Sequence, residues 1–320
     1  MKPKILVTRE VFDEVLDYLG GELEVEANQA DHALAPDELR ARLADKDGVM
    51  CALTDRIDAA LLEACPRLKV VSNIAVGYNN IDVPACSARG IAVTNTPGVL
   101  DETTADLVWA LLLATARRLT EVEAFVRNGN WHGWHLKQLL GTDVHHATLG
   151  IVGMGRIGQA VARRASGFDM PVLYHNRNRL EAGVERALKA RYADMDELLA
   201  AADFVVLQVP YSPQTHHLIG ASALAKMKRS AILINAARGG VVDDRALVDA
   251  LAKGTIRAAG LDVFENEPKL DPRFLGLKNV VLAPHIGSST GATRLAMAMT
   301  AARNLLAVLS GAQAPNRVNP

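Results

Sequence analysis

Three side chains of complementary chemistry close three turns late in the sequence: Arg238 in "INAARGG", Glu267 in "GLDVFENEP" and His285 in "LAPHIG". Each turn follows an apolar run of strand length, and in a parallel sheet the carboxyl ends of the strands face the ligand. A guanidinium can hold a carboxylate through two parallel hydrogen bonds and polarise the carbonyl beside it, which a lysine point charge does less well. An imidazole changes charge near neutrality, so it can pass a proton to a carbonyl oxygen while hydride arrives at carbon. A glutamate next to such a ring orients it and favours its charged form. Together the three suit a 2-oxo acid. Singly they read as a surface arginine, a capping glutamate and a core histidine.

Hydride needs a carrier, and "LGIVGMGRIGQAVARRA" offers its binding turn. Gly153, Gly155 and Gly158 hold the G-x-G-x-x-G spacing between an apolar strand and a helix, with Met154, Arg156 and Ile157 between and beside them. The first glycine permits the tight turn, the second lets backbone approach a pyrophosphate, and the third lets helix and strand pack closely. About 20 residues on, where an acid usually receives the ribose hydroxyls of NAD, the sequence "LYHNRNR" has neutral Asn176 followed by Arg177 and Arg179. Cations attract a 2'-phosphate that a carboxylate would repel, so NADP(H) is expected over NAD(H), with NAD(H) still usable.

The elements that must position these groups alternate along the chain. Short apolar runs separated by helix-length segments fill the first 99 residues, then "DETTADLVWALLLATARRLTEVEAFVRNGN" predicts one long helix from Asp101 to Gly129. The alternation restarts at "ATLGIVG" and runs to "NVVLAP", enough for a complete doubly wound parallel sheet. A last long helix, "SSTGATRLAMAMTAARNLLAVLSG", has no sheet of its own and is expected to return to the first lobe. The expected fold is α/β with two Rossmann-like lobes. Residues 1–99 and 290–320 form a smaller, discontinuous, flavodoxin-like substrate lobe, and residues 100–289 the NAD(P)-binding lobe, with a ligand cleft between them.

At 320 residues, 49% hydrophobic and 22% charged, the chain is long enough for two cores, and its net charge of −1 gives no global attraction to nucleic acid or membrane. No apolar run reaches transmembrane length and the N-terminus lacks a signal-peptide pattern. Cys51, Cys65 and Cys86 are odd in number and lack C-x-x-C spacing, which predicts buried thiols in a reducing cytoplasm. His132, His135, His145 and His146 spread over a loop without metal-ligand spacing, and the pair His216 and His217 reads the same way, so no metal is expected.

The motifs "GIVGMGRIGQAVARRA", "INAARGGVVDDRALVDAL", "AAGLDVFENEP" and "APHIGSST" resemble those of the D-isomer-specific 2-hydroxyacid dehydrogenases, over essentially the whole chain. The resemblance implies Arg238, Glu267 and His285 as the catalytic set, with His285 as acid and base, and a homodimer built through the cofactor lobe. It implies that "NIAVGYNNID" binds substrate carboxylate through the backbone of Val76 and Gly77, that Leu53 lines that pocket, and that Arg238 also touches substrate. For the cofactor it points to Thr104, to Val209, Pro210 and Thr215 of "QVPYSPQTHHLI", and to Ala236, Ala237, Asp262 and Gly287. Trp134 of "NWHGWH" is similar to a tryptophan that enters the partner subunit's substrate pocket, or else is an interface aromatic. Within the family, residues 141–179 look most like the glyoxylate and hydroxypyruvate reductases, including the branch that also reduces 2-keto-gluconate. Glu267 sets the chain apart from formate dehydrogenase, which has Gln there. The same fold serves dinucleotide-sensing corepressors, but those need no complete set of substrate loop, Arg, Glu and His. Asn79 departs from the commoner "VGYDN".

Overall fold

Residues 2–320 are described by a computed structural model, and they divide into two units, residues 2–100 with Ser289–Pro320, and Asp101–Ser288. The chain opens with β1 (Lys4–Val7), α1 (Asp13–Gly20), β2 (Glu24–Ala27), α2 (Pro36–Leu43), β3 (Gly48–Cys51), α3 (Ala59–Glu63), β4 (Val70–Asn73), α4 (Val83–Ala88) and β5 (Ala92–Thr94). The five strands are parallel in the order β2-β1-β3-β4-β5, the flavodoxin-like arrangement. β3 and β4 are buried along their whole lengths, as strands covered on both faces must be.

The second unit begins with α5 (Asp101–Ala116) and α6 (Leu119–Arg127) and continues through β6 (Leu149–Val152), α7 (Arg156–Ala165), β7 (Val172–His175), α8 (Ala182–Leu188), β8 (Ala190–Tyr192), α9 (Met195–Ala201), β9 (Phe204–Leu207), α10 (Ala221–Lys226), β10 (Ile232–Asn235), α11 (Asp244–Lys253), β11 (Ala258–Leu261) and β12 (Val280–Leu282). Its seven parallel strands lie in the order β12-β11-β10-β9-β6-β7-β8. The winding reverses between β6 and β9, and a crevice outside the carboxyl ends of such a pair is where doubly wound sheets bind ligands. The last helix, α12 (Gly291–Leu309), packs on the first sheet, and the Ser72 hydroxyl in β4 donates to its Ala301 carbonyl at 2.8 Å.

The long helix expected from Asp101 to Gly129 is two helices. The Ala116 carbonyl, which a continuing helix would offer to the fourth residue on, accepts the Thr142 N–H at 2.8 Å instead. Gly141 lies so close that a Cβ there would sit 2.7 Å from the same carbonyl. Arg118 turns the chain with φ 55°, and its guanidinium grips Glu121 with two 2.8 Å bonds as α6 starts. Cys51, Cys65 and Cys86 are buried free thiols. Among the described residues no helix is long and apolar enough to cross a membrane.

Candidate active site

β10, β11 and β12 end side by side, and the turns that follow carry Arg238, Asp262 and His285. His285 sits in the left-handed region at φ 56°, which is uncommon for a residue with a side chain. Asp262 explains how it is held there: its carbonyl accepts the His285 N–H at 2.8 Å, and its carboxylate oxygens accept the Ile286 N–H at 2.7 Å and the Gly287 N–H at 2.9 Å. Asp262 is 1% exposed, and burial pushes its carboxyl above the usual range against the pull of those N–H groups and of His285.

The imidazole is fixed from its other side. His285 Nδ1 lies 2.7 Å from Glu267 Oε2, and Glu267 Oε1 accepts the Phe264 N–H at 2.8 Å. Burial would raise the Glu267 carboxyl, but the His285 contact, the Phe264 N–H and the charges of His285 and Arg238 together hold it below its ordinary value. With Nδ1 engaged, Nε2 is the ring atom left to exchange a proton with a ligand. Arg238 is half-buried; burial lowers its pKa from the arginine value while Glu267 opposes that, and the guanidinium stays charged. Gly239 lets the arginine turn lie against the glutamate loop, since a Cβ there would fall 1.8 Å from the Phe264 carbonyl oxygen. Asn235 shapes the same turn by accepting the Ala237 N–H at 3.1 Å.

The glycine-rich turn stands at the reversal point. Gly153 has φ 101°, and a Cβ on it would lie 2.6 Å from the Gln208 carbonyl at the end of β9, so backbone packs on backbone there. At Gly155 the space a Cβ would fill is open to 4 Å, directly before α7, whose first N–H groups have no intrahelical acceptor. An open cradle at a helix N-terminus fits a dinucleotide pyrophosphate. Asn176 Oδ1 accepts the Met154 N–H at 2.6 Å, which braces the turn and leaves the amide NH2 as a donor. Arg177 is exposed and makes no ion pair among the described residues, whereas Arg179 is bound to Glu185 through Nε at 2.8 Å and Nη2 at 2.9 Å. Of the two cations expected at a 2'-phosphate, Arg179 also neutralises a carboxylate of low exposure.

The other positions assigned by resemblance fall as follows. Thr104 is buried on α5 and would be within 3.4 Å of a Cβ on Gly287. Val209 and Pro210 follow β9, and Thr215 Oγ1 closes that loop onto the Pro210 carbonyl at 2.7 Å. Ala236 and Ala237 are buried after β10. Trp134 is 77% exposed and helps to line a cavity of about 630 Å³ with Trp131, Phe125 and Val126.

In the first unit, Val76 and Gly77 follow β4. The Val76 carbonyl accepts from the Asn95 amide at 2.9 Å and the Gly77 carbonyl from the Asn73 amide at 2.8 Å. Neither residue's N–H donates to a protein group among the described residues, so the turn presents donors with their carbonyls tied back. Asn80 Nδ2 joins this loop to the one bearing Leu53 by donating to the Ala52 carbonyl at 3.1 Å and the Asp55 carbonyl at 3.0 Å. Asn73, Asn80 and Asn95 were not singled out from the sequence, where an asparagine in a loop carries no sign of which carbonyl it will reach.

A profile of the D-isomer specific 2-hydroxyacid dehydrogenase NAD binding domain matches residues 109–287. The chain belongs to the D-isomer specific 2-hydroxyacid dehydrogenases. It is an NAD(P)-dependent oxidoreductase of that family. A curated relative from Thermococcus onnurineus, named glyoxylate reductase, is 49% identical with all of this chain and 96% of that protein covered. A solved structure from Thermus thermophilus superposes with a TM-score of 0.92 at 46% identity, covering 98% of this chain and 99% of the other. An NADPH-dependent glyoxylate/hydroxypyruvate reductase of Sinorhizobium meliloti, solved with NADP and malonate, gives 0.89 at 36% identity over 99% and 97% of the two chains.

Proposed function

We propose that this dehydrogenase is an NADPH-preferring reductase of small 2-oxo acids, converting glyoxylate to glycolate and hydroxypyruvate to D-glycerate. The observation that carries the reading is the His285 and Glu267 pair, held by Asp262 beside the half-buried Arg238. A bound nicotinamide supplies the hydride. In the second unit Arg238 holds and polarises the 2-oxo acid, and Nε2 of His285 gives its proton to the carbonyl oxygen as negative charge develops there; in the first unit the Val76 and Gly77 N–H groups are the donors proposed for a substrate carboxylate. Glu267 keeps the ring oriented and balances the imidazolium before transfer. The names of the relatives support glyoxylate and hydroxypyruvate as the substrates to try first.

NADPH preference is supported by the neutral Asn176, whose amide hydrogens can donate to a phosphate, and by exposed Arg177, which makes no ion pair among the described residues. The test is a rate comparison with NADPH and NADH across glyoxylate, hydroxypyruvate and 2-keto-gluconate. The account expects higher kcat/KM with NADPH and with the two short acids; activity confined to 2-keto-gluconate, or a higher kcat/KM with NADH, would overturn the respective part.

A homodimer through the second unit belongs to the same proposal. Leu119, Val126, Trp131, Trp134, Leu136 and Leu140 are all more than half exposed within one stretch of 22 residues, and a concentration of large apolar groups in a soluble enzyme marks an interaction surface. Light scattering should give twice the 34.3 kDa chain mass, and a Trp131→Glu/Leu136→Glu variant should give the single mass. A wild-type monomer would contradict it.

A further inference from the structure

We propose that His216, His217 and Glu265 form a binding site for one divalent transition-metal ion of the zinc class, apart from the His285 site. One nitrogen of each histidine and one carboxylate oxygen lie within 4.8 Å of one another. Adjacent residues in extended or helical backbone rarely aim both side chains at one point. Here His217 takes the left-handed conformation, φ 50°, which brings the two imidazoles face to face with centroids 3.8 Å apart. His217 Nε2 meets Glu265 Oε1 at 2.6 Å.

One ring has an outer hydrogen-bond partner of the kind metal-bound imidazoles usually have, and the other has a carboxylate nearby. His216 Nδ1 lies 3.2 Å from the Tyr211 hydroxyl, and His217 Nδ1 lies 4.0 Å from Asp243 Oδ2. The backbone beneath is tied down: the His217 N–H donates to the Gly240 carbonyl at 2.8 Å and the Glu265 N–H to Asp244 Oδ2 at 2.9 Å. A set of two imidazoles and one carboxylate selects zinc, cobalt or nickel over magnesium and calcium, which prefer oxygen, and leaves a fourth position for water. Ligand atoms about 2.0–2.2 Å from a tetrahedral ion stand about 3.3–3.6 Å apart. Binding therefore draws the exposed His216 ring out of the stack and replaces the direct His217 to Glu265 bond by the ion. The ion then joins the loop after β9 to the loop that ends in Glu267, two residues beyond Glu265.

The experiment is calorimetric titration of the chelator-treated full chain with Zn2+, repeated with Co2+ while visible absorption is recorded. Expected are one ion per chain, a tetrahedral cobalt spectrum, and a Tm that rises with Zn2+. His216→Ala, and His217→Asn, which keeps a residue tolerant of the left-handed backbone, should each weaken binding at least a hundredfold; Tyr211→Phe should weaken it about tenfold. A His145→Ala/His146→Ala control should bind like the wild type. Absence of a one-to-one isotherm, or an isotherm that survives His216→Ala and His217→Asn, or one abolished by the control, would overturn the proposal.

Discussion

Glu267 and His285 are joined by a 2.7 Å contact between Oε2 and Nδ1, across 18 residues of sequence and two neighbouring strand ends. Replacing the carboxylate by an amide of the same shape removes the charge that balances the imidazolium. Glu267→Gln is expected to lose about 10²-fold in kcat with the folded state and dinucleotide affinity retained. Steady-state rates beside a direct NADPH titration check this, and a loss under about threefold would show that the pair is structural only.

Asp262 holds three successive N–H groups, those of His285, Ile286 and Gly287. An asparagine has one acceptor oxygen and would turn its NH2 toward one of the two N–H groups its side chain faces. Asp262→Asn should therefore cost about 1–3 kcal/mol in urea unfolding and lower kcat as well, because the His285 backbone is no longer pinned at φ 56°.

On the proposed reading, Arg177 serves cofactor choice and Arg179 serves stability. Arg177→Ala is expected to reduce the NADPH to NADH ratio of kcat/KM by roughly tenfold or more, the worth of a charge-assisted hydrogen bond. Arg179→Ala should leave that ratio within about threefold and lower Tm, since its partner is Glu185. Equal effects of the two variants on the ratio would contradict the assignment.

Glu185 gives an acid-side signature. Its bonds to Arg179 and to the Tyr174 hydroxyl depress the carboxyl from 4.5 to about 2. A depressed carboxyl stabilises the fold above its unfolded value and loses that contribution as pH falls through the folded one. The stability advantage of wild type over Glu185→Gln should be constant above pH 4.5 and shrink down to about pH 2. An advantage that grows on acidification would reverse the sign.

Asn80 and Asn73 shape the turn that offers the Val76 and Gly77 N–H groups. Asn80→Ala should raise KM for the 2-oxo acid roughly tenfold while kcat stays within about threefold, the pattern of lost ground-state binding. A change confined to kcat would place Asn80 elsewhere in the mechanism.

The alternation of apolar runs and the glycine spacing made the two α/β sheets and the nucleotide turn legible, because strand burial and backbone approach impose residue types directly. Three features were hidden because a distant segment decides them. The break at Arg118 depends on Thr142 and Gly141 meeting the Ala116 carbonyl. β8 is a three-residue edge strand, Ala190–Tyr192, with an exposed arginine at its centre and too short to show a period. Arg179 faces Glu185 because the chain folds back after β7, a spacing with no periodic signature. Asp262, expected as a cofactor contact, also holds the His285 loop, and "GLDVF" carries no sign of those bonds because their partners follow a neighbouring strand.

The most direct test of the account is the rate of NADPH oxidation with hydroxypyruvate by wild type and by His285→Gln, with NADPH binding measured on both. The account predicts turnover by the wild type and a loss of about 10² to 10⁴ in kcat for the variant at unchanged NADPH affinity. A folded, NADPH-binding His285→Gln protein that keeps its rate within tenfold would contradict His285 as the proton donor.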